Sequence, residues 1–225
     1  MKEDSHDSLR EVFLGLVVFS AAMAFLESAV VIYLRKLYYP CGFSFPIVIV
    51  DGLVAVTEVA RELATLIMLV AVSFLAGGCG RRKFAVFFLA FGVWDLFYYF
   101  WLWLFLGWPS SLLLWDVLFL IPVPWLGPVL APCLVSLTMI LISAHTLWRQ
   151  ERKASVVFKS IDFLLAGVAT IALFLSFTWN FRIVLNEEVP TSFPWFLFLP
   201  ALGIIWGAYL CRALSQGRTR ERSKE

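Results

Sequence analysis

Charged side chains are scarce in this chain: Asp, Glu, Lys and Arg together make up 15% of its 225 residues, well below the quarter or so of an ordinary soluble domain. Histidine is scarcer still. With only His6 and His145, there is no basis for bis-histidine haem ligation or for the multi-histidine boxes of membrane di-iron enzymes. The four cysteines, Cys41, Cys79, Cys133 and Cys211, lie far apart and form no CxxC pair, so neither a redox motif nor a thiolate metal site is signalled and they read as packing residues. Gly-x-Ser-x-Gly, His-Glu-x-x-His and a glycine-rich phosphate loop are all missing, which removes the corresponding hydrolase, zinc-protease and nucleotide signatures. Asp51-Gly52 begins like the aspartate-rich motif of membrane phosphotransferases, but the Asp-x-x-x-Asp that should follow is absent. There are no low-complexity tracts and no long repeat; Trp94-Asp95-Leu96-Phe97 and Trp115-Asp116-Val117-Leu118 match over too short a stretch to mark the inverted duplication of many transporters.

What is abundant is apolar surface, at 61% hydrophobic and 17% aromatic residues. A bilayer core needs about 20 mostly apolar residues per helical span. Six such stretches, at 12–33, 47–75, 84–106, 125–148, 156–179 and 193–214, use up nearly the whole chain and leave little for a soluble domain. The expected fold is all-α, a single polytopic integral membrane helix bundle with polar tails at 1–10 and 215–225. The first run carries Glu27, is followed by Arg35 and Lys36, and has no small-x-small cleavage site, so it reads as a retained span.

Orientation follows from the basic residues. Lys2, Arg10, Arg81, Arg82, Lys83, Arg149, Arg152, Lys153, Arg212, Arg218, Arg220, Arg222 and Lys224 fall on one side, thirteen in all, against three, Arg35, Lys36 and Arg182, on the other. Arg61 and Lys159 lie within spans. The positive-inside rule then predicts a multi-pass cell-membrane protein with both termini cytoplasmic. Trp101, Trp103, Trp108, Trp115, Trp125, Trp179 and Trp195 fall near the outer boundary in that arrangement, where an indole finds apolar contact and a partner for its N–H. The net charge of +2 is thus a matter of topology and says nothing of nucleic acid; the expected surroundings are the lipid bilayer, membrane-protein partners or further copies of the chain.

Between spans three and four, 112–121 is too short to cross and too apolar to float free, and prolines follow at 122, 124, 128 and 132. A re-entrant or interfacial half-helix on the outer side is expected there. The alternative, a seventh span, would move the basic C-terminus outside.

Ionisable groups inside a bilayer are costly and mark candidate sites. Asp51, Glu58, Glu62 and Thr65 share one stripe of the second span, flanked by Arg61. With 1.5 Å of rise per residue, Glu58 and Glu62 fall on the order of 16 to 22 Å from the outer end of span two and Asp95 about 16 Å from the inner end of span three, so the three share a middle layer. Glu27 and Asp51 are expected higher, where Asp116 joins them, and Tyr98 and Tyr99 offer hydroxyls one turn from Asp95. Glu58, Glu62 and Asp95 against Arg61 leave excess negative charge in low dielectric, which a proton or a bound cation must neutralise. An all-oxygen set on Glu58, Glu62 and Asp95 suits a hard divalent cation better than zinc or copper.

Three functions fit this pattern: a small proton- or cation-linked transporter or channel-like protein; a membrane-embedded metal-dependent enzyme acting on an apolar or lipid-linked substrate; and a structural or assembly subunit of a membrane complex. A purely architectural role competes with all three, with Arg61 paired to Glu58 or Glu62 to fix helix register. Lys159 and Asp162 read as a snorkelling pair and His145 as a surface residue.

Overall fold

The computed structural model describes residues 3–48, 51–152, 158–182, 186 and 188–222, with the side chains of 3–9 and 216–222 left aside. Lys2, Lys153, Lys224 and the expected fifth-span start at Val156 lie outside the described residues, as do the side chains of Arg218, Arg220 and Arg222. In chain order the elements are α1 (Glu3–Tyr38), α2 (Gly52–Leu75), α3 (Gly80–Leu106), β1 (Trp115–Phe119), β2 (Trp125–Pro128), α4 (Leu130–Glu151), α5 (Ser160–Thr178) and α6 (Trp195–Arg222). Five of the helices, all but α2, are long and apolar enough to cross a membrane. The protein is therefore predominantly helical and compatible with a multi-pass integral membrane protein.

Local chemistry sets the helix ends. α1 runs five residues past the expected Tyr33 and closes on Arg35 and Lys36, cations that favour a helix C-terminus. α2 starts at Gly52, not at Ile47, because the Asp51 carboxylate caps it, accepting the Leu53 N–H at 2.9 Å. α3 stops at Gly107, whose φ of 64° is left-handed and whose N–H donates to the Trp103 carbonyl at 2.9 Å, a turn that glycine makes without steric cost.

The expected half-helix over 112–121 is replaced by an antiparallel hairpin. Trp115 pairs with Pro128, Asp116 with Gly127, Val117 with Leu126 and Phe119 with Trp125, with a bulge between Val117 and Phe119. The ladder extends outward through the Val129 N–H to the Leu114 carbonyl at 2.9 Å and the Leu130 N–H to the Leu112 carbonyl at 2.7 Å. The prolines explain the change. Pro122, Pro124 and Pro128 lack an N–H and disfavour helix in the residues before them, so the returning segment is extended and offers the outgoing one an edge. The same run displaces the start of α4 from the expected 125 to Leu130.

α3 is the centre of one helix group, with α1, α2 and α4 packed around it; α5 and α6 pack on each other. The second group meets the first through β2, which touches both α4 and α5, and through an α4–α6 contact, while α4 and α5, consecutive in sequence, barely touch. α3 and α4 come close at Gly92, where a Cβ would stand 2.6 Å from the Ser136 carbonyl oxygen. Towards the far end from the hairpin, Leu16, Ala85, Val86, Leu89, Val93 and Leu147 form a dry core. Around the hairpin the core is aromatic, with Phe177, Phe193 and Phe198 buried against Trp115 and Trp125. The exterior is apolar: Leu26, Leu63, Ile67, Phe84, Phe163 and Phe196 are all exposed.

Candidate functional site

The hairpin descends among α1, α2 and α3 and encloses with them a polar cavity of about 210 Å³. Its walls include Glu27, Glu58, Arg61, Glu62, Asp95, Tyr98, Tyr99 and Asp116. These are all of the residues assigned from the sequence to an intramembrane ion or substrate site except Asp51, which is exposed and spends its carboxylate on the α2 cap. The stripe that joined Asp51 to Glu58 and Glu62 fails there, since Asp51 precedes the first helical turn.

Depth along the helices also differs from expectation. With α2 beginning at Gly52, Glu58 and Glu62 lie about 9 and 15 Å from its start, shallower than a start at 47 implied. Glu27 moves the other way: α1 continues to Tyr38, so Glu27 lies about 16 Å from that end and not near it. Asp95 is also about 16 Å from the end of α3. Glu27, Glu62 and Asp95 thus occupy one level, with Glu58 a little above.

At that level Arg61 serves two carboxylates. Its Nη2 and Nε donate to Glu58 Oε2 at 2.7 and 3.1 Å, and Nη1 forms an ion pair with Glu27 Oε1. Thr65, one turn further along α2, donates its hydroxyl to Glu27 Oε2 at 3.0 Å. The register-fixing pair expected of Glu58 and Arg61 therefore exists, but it is half of a three-residue arrangement that ties α1 to α2.

Glu62 faces the hairpin. Both of its oxygens accept the Leu120 N–H, at 3.0 and 2.9 Å, so a carboxylate completes the backbone hydrogen bonding of the hairpin tip, where a free N–H would be costly. Trp125 Nε1 donates to the Ile121 carbonyl at 2.8 Å and closes the other side of the tip. Asp95 faces α4: its Oδ2 accepts the Ser136 hydroxyl at 2.8 Å, while Oδ1 accepts no hydrogen bond among the described residues.

Nearer the hairpin end, Arg35 Nη2 donates to Asp116 Oδ1 at 2.9 Å. The guanidinium lies over two rings set nearly at right angles to each other, 3.7 Å from the Trp108 centroid and 4.3 Å from that of Phe43, and each π face attracts the cation. Arg35 was expected to be a loop residue marking topology. Glu27, Val31 and Arg35 recur at four-residue intervals on one helix face, and that spacing was the available sign. Ser136 was also missed; Ser136 and Ser143 share a face of α4 at a seven-residue interval.

Five carboxylates, Glu27, Glu58, Glu62, Asp95 and Asp116, therefore line the cavity with two guanidiniums, Arg35 and Arg61, a formal excess of three negative charges. Among the described residues Glu62 and Asp95 form no ion pair. Nor do the described residues include a group of three or more His, Cys, Asp or Glu side chains disposed to hold a metal ion. Glu58, Glu62 and Asp95 turn to Arg61, to the hairpin backbone and to Ser136, three different partners.

The other singled-out groups serve packing. Asp162 takes the Lys159 backbone N–H at 2.7 Å and pairs with Arg212 Nε of α6 at 2.6 Å, so its charge partner is on another helix and not the Lys159 side chain. His145 is half-buried, its Nδ1 2.7 Å from the Tyr209 hydroxyl and its ring stacked on Trp148; it joins α4 to α6.

A second cavity, about 790 Å³ and almost wholly apolar, lies on the far side of the hairpin between α3, α4, α5 and α6. Asp95, Leu118 and Phe119 belong to the walls of both cavities. No protein-family model, curated protein or solved structure matches the chain, so the functional reading rests on this geometry.

Proposed function

We propose that the chain is a six-span protein of the cell membrane with both termini cytoplasmic, and that it is a small proton-linked carrier whose working groups are the unpaired acids Glu62 and Asp95. The observation that carries this reading is the charge of the polar cavity, five carboxylates against two guanidiniums. In a low-dielectric interior that excess cannot persist ionised, and neutralisation falls first on the acids without a cationic partner. With no metal-holding cluster among the described residues, protons are favoured over a hard divalent cation.

The sixth span is α2. Its 24 residues extend about 36 Å, enough to cross a core about 30 Å thick. Its charged residues Glu58, Arg61 and Glu62 line the cavity, while Leu53, Val56, Leu63 and Ile67 are exposed to the outside. The basic-residue asymmetry supports cytoplasmic termini, which puts the hairpin end and the Arg35–Asp116 pair towards the outside.

Proteoliposomes containing a pH-sensitive dye, driven by a potassium diffusion potential, test the reading. Protein-dependent proton flux is expected, lost in Glu62→Gln and retained in Asp51→Asn. Equal flux in wild type and Glu62→Gln contradicts it.

A second reading has its own support: an enzyme acting on an apolar substrate by acid–base chemistry, favoured by the apolar cavity that reaches Asp95. Chemical conversion of a membrane lipid by the purified chain, lost in Asp95→Asn and with no accompanying proton flux, would select it over the carrier.

A further inference from the structure

The apolar cavity has a shape and chemistry that specify an occupant. Its volume of about 790 Å³ is in the range of ligand pockets and not of packing defects. It runs along α4 from Pro132 to Ser143, about 16 Å of helix. On α5, Ala166, Thr170 and Phe174 face it at successive helical turns. Its opening follows from the packing, since α4 and α5 barely touch and the two helix groups are joined chiefly through the hairpin. A ligand dissolved in the bilayer reaches such a seam sideways without entering water.

The polar content of the walls defines the head of that ligand. Among the described residues no Lys, Arg or His lines the cavity, and the one ionisable group is Asp95. An anionic head would therefore find no cationic partner, at high cost in low dielectric whether or not Asp95 carries a proton. A neutral head with a hydroxyl is matched, because Asp95 is 8% exposed, holds Ser136 through Oδ2 alone and leaves Oδ1 as an open acceptor. We infer that this cavity binds a neutral long-chain alcohol from the bilayer, with its chain between α4 and α5 and its hydroxyl on Asp95; farnesol serves as the probe. The inference does not depend on the proton-carrier reading, because binding is measured without flux.

The test is photolabelling of the full chain in nanodiscs with a diazirine analogue of farnesol, followed by peptide mapping. Label is expected on the cavity faces of α4 and α5, displaced by excess farnesol but not by farnesyl phosphate. Thr170→Phe, which fills the cavity from α5, is expected to abolish displaceable labelling, and Asp95→Leu to weaken farnesol competition about tenfold, the worth of one buried hydrogen bond. Glu62→Gln is expected to label as wild type does. If Thr170→Phe does not fold, competition in the wild-type chain still decides. Label that excess farnesol leaves in place, label spread over outward-facing residues such as Phe163 and Leu164, or tighter competition by farnesyl phosphate or a prenylated quinone than by farnesol each overturn the assignment.

Discussion

Two arginines tie the elements around the polar cavity, one buried and one half-buried, and they are served differently. Arg35 has one carboxylate, Asp116, and the pair is nearly buried, with side-chain exposures of 8% and 2% and two mutually perpendicular aromatic rings against the guanidinium. Arg61 has two carboxylates, Glu27 and Glu58, is 20% exposed, and sits in a cavity with two further acids that have no cation of their own. The first arrangement borders the same cavity but is balanced in charge and nearly buried; such a pair fixes how α1 meets the hairpin. The second has a surplus of acid beside open volume, and surplus carboxylates in low dielectric exchange protons. Under the proton-carrier proposal the difference separates a structural ion pair from a working one, although both are arginine–carboxylate contacts between neighbouring elements.

The largest expected effect comes from breaking the balanced pair. Arg35→Met leaves Asp116 buried without a counter-charge and is expected to cost about 3–5 kcal/mol, read by equilibrium unfolding in detergent through tryptophan fluorescence. Adding Asp116→Leu is expected to recover most of that loss, because an apolar replacement of both partners removes the orphaned charge. Failure of the double variant to recover would show that Arg35 acts through its ring contacts instead. Arg61→Met, in contrast, is expected to cost about 1–3 kcal/mol, since Glu27 and Glu58 are less deeply buried than Asp116 and Thr65 still donates to Glu27. A loss equal to that of Arg35→Met would erase the distinction between the two centres.

Smaller effects sharpen the boundary of the working site. Asp51→Ala removes the α2 cap and is expected to cost about 1 kcal/mol with no change in proton flux, because Asp51 lies outside the cavity. Glu62→Gln is expected to change stability by less than about 0.5 kcal/mol, since the Gln carbonyl oxygen still accepts the Leu120 N–H and no neutral hydrogen bond is lost. Together the two variants set a stabilising acid without function against a functional acid with little effect on stability.

The contrast between the two arginines was only half legible in the sequence. Glu58, Arg61 and Glu62 interrupt an apolar run at helical spacing, so their common face and their cost in lipid could be read directly. Arg35 could not be placed as easily, because the apolar run ends at Tyr33 and the basic pair after it looks like a topology signal; only the continuation of α1 to Tyr38 brings it to Asp116. The hairpin was illegible as a hairpin for another reason. A short continuous apolar run such as Leu112 to Ile121 has no period that distinguishes helix from strand, and the prolines that decide the matter come after it. With the hairpin unread, the Leu120 N–H on Glu62 and the separation of the polar from the apolar cavity were out of reach. Asp51 shows the reverse error: it has the correct spacing for the acidic stripe but sits one residue before the helix begins, where a carboxylate caps.

Proton flux into proteoliposomes under a potassium diffusion potential, compared between wild type, Glu62→Gln and Asp51→Asn at matched reconstitution, tests the account at its centre. Flux is expected in wild type and Asp51→Asn, and none above protein-free vesicles in Glu62→Gln. Flux in Glu62→Gln equal to that of wild type, with the variant folded, would contradict it.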